Sequence, residues 1–228
     1  LAALPEDDFA TAAYEYFGRT RPELLSNIRQ PNIAAFFRAC ELAKSDPAAE
    51  LKSAIKHLHA RKNASYAGAW KRRGERVSVL PNIARKVDRL LAFVNEAASL
   101  DGETVLDTAL DLYVYAAKYR LFLAEIPGAN ISPLGANSPQ PFSDHDENFN
   151  LLVDGANFIQ GANGDFVREV EGISALFEGI WRGADADATL ADRQQWATEL
   201  ATDSERLVAI VSRMNPTDAH EFVRHERG

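Results

Sequence analysis

ETVLDTALDLYVYAAKYRLFLAE, residues 103–125, reads as one helix, and its reading decides the fold. Leu106, Leu110, Val114 and Leu121 recur at helical spacing on one side. Glu103, Asp107 and Asp111 stand four residues apart on another, with Tyr115 and Tyr119 continuing the stripe. An acid in the first turn is favoured by the helix dipole, which suffices for Glu103. Asp111, two turns in and bracketed by Leu110 and Leu112, has no such explanation. Aspartate is a poor mid-helix residue, and a carboxylate near a core boundary needs a cation. The candidates are a divalent metal and the Arg85/Lys86/Arg89 cluster of the preceding helix.

That preceding helix spans Val79 to Ala98, with Leu80, Ile83, Val87, Leu90, Leu91 and Val94 on one face. The Asp101-Gly102 turn predicts an antiparallel neighbour for the acidic helix. Working outward, short helices are predicted over Pro5–Phe17 and after Pro22 and Pro31, and a longer one from Asp46-Pro47 to about residue 62. The glycines between Tyr66 and Gly74 leave that stretch open. Residues 127–145, PGANISPLGANSPQPFSDH, carry four prolines and no periodicity, so they read as a linker or long loop. Helices follow over about 146–161, 165–181 and 189–213, the last opening on Thr189 and Asp192 as a capping box. The organisation is a core of residues 1–126, a linker at 127–145, and C-terminal helices of 146–228. Their stripe of Phe166, Val170, Ile173, Leu176, Phe177 and Ile180 is expected to dock on the core.

With 46% hydrophobic and 25% charged residues, a chain of 228 residues can bury a sizeable core. No apolar run approaches a bilayer span, and the opening LAALPEDDFA lacks a basic-then-apolar signal, so the expected location is cytoplasmic. The single cysteine, Cys40, excludes an internal disulfide and a Cys-rich zinc site, and its apolar surroundings suit a packed thiol. A net charge of −8 argues against general nucleic-acid binding. The charge is uneven, however: residues 52–89 hold eleven Lys/Arg against two acids, and residues 144–205 hold fourteen acids against three arginines. Two solvated faces of opposite sign, or a basic pocket for phosphates, are the alternatives.

Within the basic stretch, Lys71, Arg72, Arg73 and Arg76 flank Tyr66 and Trp70. Cations hold phosphates and aromatics stack on a base, though the same residues also suit a helix end. Arg85 and Arg89 share a face, and Lys86 lies nearer the apolar stripe, where it can offset Asp111. The five histidines form no metal-binding pattern, and no Walker, GxGxxG or GxSxG motif is present.

The pattern KN-x-x-Y-x-x-A-W-K-x-R-G at 62–74, N-I-x-R-K-x-D-R-L at 82–90 and E-x3-D-T-x-x-D-L-x-x-Y-A at 103–116 resembles the MazG-like all-α NTP pyrophosphohydrolase superfamily, in its nucleotide modification associated domain branch. The resemblance covers roughly residues 50–125. It implies a helical bundle that often forms homodimers and cleaves the α–β bond of nucleoside triphosphates with Mg²⁺ held by an E-x-x-E pair and an E-x-x-D pair. Asp111 matches the aspartate of the second pair. The first pair falls where this chain reads IARKVDRL, with only Asp88 acidic, and position 108 is Thr.

The expectation is therefore an all-α protein with a MazG-like bundle and added helices at both ends. It would bind a nucleotide and cleave a (d)NTP or modified nucleotide: Glu103, Asp107 and Asp111 holding Mg²⁺, Lys86 and Arg85 stabilising the departing pyrophosphate, and Tyr66, Trp70, Lys71 and Arg72 binding substrate. The alternative is a non-catalytic interaction or nucleotide-sensing module in which Lys86–Asp111 is a structural ion pair.

Overall fold

The structure is a computed structural model of the 228-residue chain. It describes residues 47–96, 104–127, 129, 146–159, 161–184 and 188–227, and for Tyr66, Ala67, Glu96 and Arg227 the backbone alone. The helices expected before Pro47, Cys40, Glu103 and most of 127–145 lie outside the described residues. The chain divides into a unit of residues 1–50 and a unit of residues 51–228. The second unit carries the fold.

The protein is all-α: seven α-helices and no strand are present among the described residues. They are α1 (Pro47–Tyr66), α2 (Leu80–Glu96), α3 (Val105–Ala124), α4 (Asp146–Gly155), α5 (Phe166–Gly183), α6 (Leu190–Met214) and α7 (Pro216–Arg227). Between α1 and α2 the chain makes a 3₁₀ turn at Ala67–Trp70 and a π-helical turn at Glu75–Val79. The reversal between them needs Gly74, whose φ of 79° is in the left-handed region open to glycine. Asn215 separates α6 from α7, a helix that the periodicity did not reveal.

Helix α3 is apolar nearly all round and buries Leu106, Leu110, Leu112, Tyr113, Tyr119, Leu121 and Leu123, which makes it the central element. It packs against α2 and α6, and α5 closes the ring by packing on both of those. Four helices thus form a closed bundle, with α4 against α3 and α7 against α6. Val170, Ile173, Phe177 and Ile180 of the α5 stripe share one core with Ile83, Val87 and Leu90 of α2. Gly183 allows the end of α5 to approach α6 closely, since a Cβ there would come within 2.5 Å of the Trp196 ring.

From Leu51 onward, α1 buries Leu51, Ala54, Ile55 and Leu58 and stacks His59 on Phe149 of α4. Its other side is polar. Lys52 donates to the Asp154 carbonyl (2.8 Å), Lys56 pairs with the Asp154 carboxylate, and Arg61 pairs with Glu226 of α7 at 2.6 Å.

Candidate functional site

The geometry around Asp111 starts with the start of its helix. Thr104 is the N-cap of α3: its hydroxyl accepts from the Asp107 amide at 3.1 Å, and the Asp107 carboxylate accepts from the Thr104 amide at 3.0 Å. This is a capping box, and it occupies Asp107 locally. One turn on, Asp111 is bridged by two ammonium groups. Lys86 Nζ of α2 lies 2.7 Å from Oδ2, and Lys62 Nζ of α1 lies 3.1 Å from Oδ1. Asp111 and Lys86 each keep 17% side-chain exposure while Lys62 is half exposed. The carboxylate thus joins three helices, and the triad carries net positive charge.

The two described members of the expected Mg²⁺ set, Asp107 and Asp111, do not fit the ion as placed. The ion needs near-octahedral oxygen donors. Asp107 is engaged in its cap, Asp111 is already offset on both oxygens, and Glu103 lies outside the described residues. Among the described residues, no group of three His, Cys, Asp or Glu is placed to hold a metal.

Two clefts meet at this triad, sharing Leu58, Lys62 and Asp111. One, of about 490 Å³, runs under α7 and is lined by acids of both α3 and α7, among them Asp107, Asp218 and Glu221. The other, of about 480 Å³, is lined by His59, Asn63, Trp70, Asn82, Tyr115 and Lys118 beside the shared residues. It has the size and the mixed aromatic and polar lining of a small-molecule site. Trp70 is 8% exposed and Lys118 7%, and the Lys118 ammonium lies 4.8 Å from the Trp70 ring centre, a cation–π contact. Asn82 donates to the Ser78 carbonyl at 2.8 Å and accepts from Arg85.

His59 is 2% exposed and stacks on Phe149, ring centres 3.7 Å apart and planes 11° from parallel. Burial first, and then the Lys118 charge, lower its pKa to about 4, against the opposing pull of Asp146. The ring is neutral at pH 7. Its Nδ1 lies 3.3 Å from Asp146 Oδ1 without the alignment of a hydrogen bond, so this contact is not an ion pair at that pH.

The structure brings Lys86, Asp111 and Trp70 of the expected site to one region and disperses others. Lys71 is bound to the Glu125 carboxylate at 2.6 Å. Arg72 is exposed and lines neither cleft. Arg85 is exposed and caps Asn82 rather than reaching Asp111. The side chain of Tyr66 lies outside the described residues. Sequence reasoning missed Lys62, His59 and Asn63 on α1, and Lys118 on α3. A signal existed: 59, 62 and 63 share a helix face, as do 111, 115 and 118.

No family model, curated protein or solved structure matches the chain.

Proposed function

We propose that the chain is a metal-independent nucleotide-binding module that does not cleave its ligand. The observation that carries this reading is the Lys62–Asp111–Lys86 bridge at the mouth of the Trp70/Tyr115 cleft. The acid best placed for a metal is neutralised by two lysines, which removes the means of the pyrophosphohydrolase reaction and leaves net positive charge where phosphates would sit. Trp70, Tyr115 and the Asn63 and Asn82 amides supply surface for a base, and half-exposed Lys62 can swing from Asp111 to a phosphate oxygen. The MazG-like resemblance of residues 50–125 supports the nucleotide as ligand, while the acids it requires for catalysis are here replaced or engaged.

Titration of the full chain with (d)NTPs and their mono- and diphosphates, in EDTA and in Mg²⁺, tests this. Saturable binding in EDTA without pyrophosphate release is expected, and Lys62→Met should weaken it about tenfold. Mg²⁺-dependent pyrophosphate release that Asp111→Asn abolishes would restore the hydrolase reading.

A further inference from the structure

We propose that the Trp70/Tyr115 cleft takes a nucleoside monophosphate in preference to the di- and triphosphate, because acids of the adjoining cleft under α7 repel a longer phosphate chain. This rests on the nucleotide-binding reading and deepens it to a ligand class, with Asp107, Asp218 and Glu221 as the residues that set the length.

The charge beside the aromatic cleft suits one phosphate. Lys62 and Lys86 share the Asp111 carboxylate, at 3.1 and 2.7 Å, and Lys118 lines the same cleft against Trp70. Three ammonium groups thus stand against one carboxylate, and Asp146, bound to the Asn63 amide, trims that excess. A phosphomonoester carries about −1.5 to −2 at pH 7, which the remaining positive charge offsets. Other members of the basic stretch do not enlarge it here. Lys71 is bound to the Glu125 carboxylate, and Arg72 and Arg85 line neither cleft.

Past Lys62 the sign reverses. Lys62 and Asp111 line both clefts, so a phosphate chain that continues beyond them enters the one under α7. Asp107 stands there one turn before Asp111 on α3, and Asp218 and Glu221 come from α7. The capping box binds the Asp107 carboxylate to the Thr104 amide and hydroxyl, which are neutral and leave its charge in place. Glu226 is met by Arg61 and His225, and Arg224 is the guanidinium left to oppose the other three acids among the described lining residues. Each added phosphate brings further negative charge toward these carboxylates. At about 0.1 M salt the screening length is roughly 10 Å, so charges in the same cleft still repel. Mg²⁺ carried in by a triphosphate would offset this, and the preference should be largest in EDTA.

The experiment is calorimetric titration of the full chain with AMP, ADP and ATP, and with GMP, GDP and GTP, in EDTA at pH 7 and low salt. For each base the monophosphate should bind about tenfold more tightly than the triphosphate, with the diphosphate between them. Asp218→Asn combined with Glu221→Gln should raise triphosphate affinity by about fivefold and leave monophosphate affinity within about twofold. Glu171→Gln combined with Glu178→Gln removes the same charge from α5, outside both clefts, and should leave the preference unchanged. Thermal melts check that both double variants fold. A triphosphate that binds as tightly as its monophosphate in EDTA would overturn the ligand class and leave nucleotide binding standing. A preference that the α7 pair leaves intact, or that the α5 pair also removes, would do the same. Failure of every nucleotide to bind would remove the underlying reading and this inference together.

Discussion

Asp111 shows how one carboxylate can be read in two ways until its neighbours are known. The mid-helix position signals a partner, and sequence spacing alone leaves metal and lysine equally able to supply the charge. The structure puts Lys86 and Lys62 on its two oxygens. Asp111→Asn keeps the volume, removes the charge, and leaves two lysines facing each other. Stability should fall by about 2 kcal/mol, below the range for fully buried pairs because Lys62 is half exposed. Added Mg²⁺ should leave the melting temperatures of both proteins unchanged; a Mg²⁺-dependent rise in the wild type alone would contradict this. Asp107 was legible as a cap. Thr104-x-x-Asp107 repeats the Thr189-x-x-Asp192 pattern, and both are capping boxes in the structure. The same rule that identified one explains the other. His59 was not legible, because nothing in the sequence tells a buried imidazole from an exposed one. Its pKa of about 4, against 6.5 in the unfolded chain, has a testable sign. Between those values the unfolded state takes up a proton that the folded state refuses, so stability falls as pH falls from 6.5 toward 4. The neighbouring charges are Lys118, which reinforces the effect, and Asp146, which opposes it. The loss should reach about 2 kcal/mol after allowing for solvent screening. Denaturation curves of wild type and His59→Phe isolate it from the carboxylates: the variant should lose less stability across this window, and parallel profiles would show that folding does not lower the His59 pKa.

At the scale of elements, helix existence was legible and the joints were not. The apolar period of α2 and the long apolar run of α3 place both to within a few residues. The π-helical turn at Glu75–Val79 has no such period, since its role depends on residues far away in sequence. Glu75 is its pivot. It accepts from the Tyr119 hydroxyl of α3 and from Arg193 of α6, each at 2.5 Å, with 11% side-chain exposure. Burial and the Glu75 charge together push the Tyr119 pKa up, so the phenol stays protonated and keeps donating. One acid thus ties the turn before α2 to two bundle helices. Glu75→Gln retains an acceptor for Tyr119 but removes the charge facing Arg193. Together with Arg193→Met it forms a double-mutant cycle in which the coupling energy should be about 1–3 kcal/mol by urea denaturation. Coupling below a few tenths would mean that the turn is held by packing of Val79 and Leu80 alone.

For the whole molecule, the uneven charge of the sequence finds its meaning in intramolecular pairing. The basic stretch was legible as basic, but its partners lie beyond it: Asp111, Glu125, Asp154 and Glu226. No local pattern can announce a pair separated by 98 residues, as Lys56 and Asp154 are, or by 165, as Arg61 and Glu226 are. Helix α1 from Leu51 onward therefore joins the bundle differently from α2, α3, α5 and α6. Those four interlock through apolar side chains; α1 adds Leu51, Ala54, Ile55 and Leu58 together with a row of ion pairs. Salt acts on these two kinds of attachment in opposite ways. At about 1 M the screening length falls to roughly 3 Å, which weakens partly exposed pairs such as Lys62–Asp111, while apolar burial is untouched or strengthened. Because α1 carries His59, Lys62 and Asn63, its release would also open both clefts. Native-state hydrogen exchange in low and in 1 M sodium chloride should show protection of residues 51–66 falling with salt while that of α3 holds. Nucleotide affinity should fall in step with α1 protection, and by more than the fall that screening of phosphate contacts produces in a variant with α1 cross-linked to α4. If α1 and α3 lose protection together or neither does, α1 is an integral bundle helix and the clefts beside it are rigid.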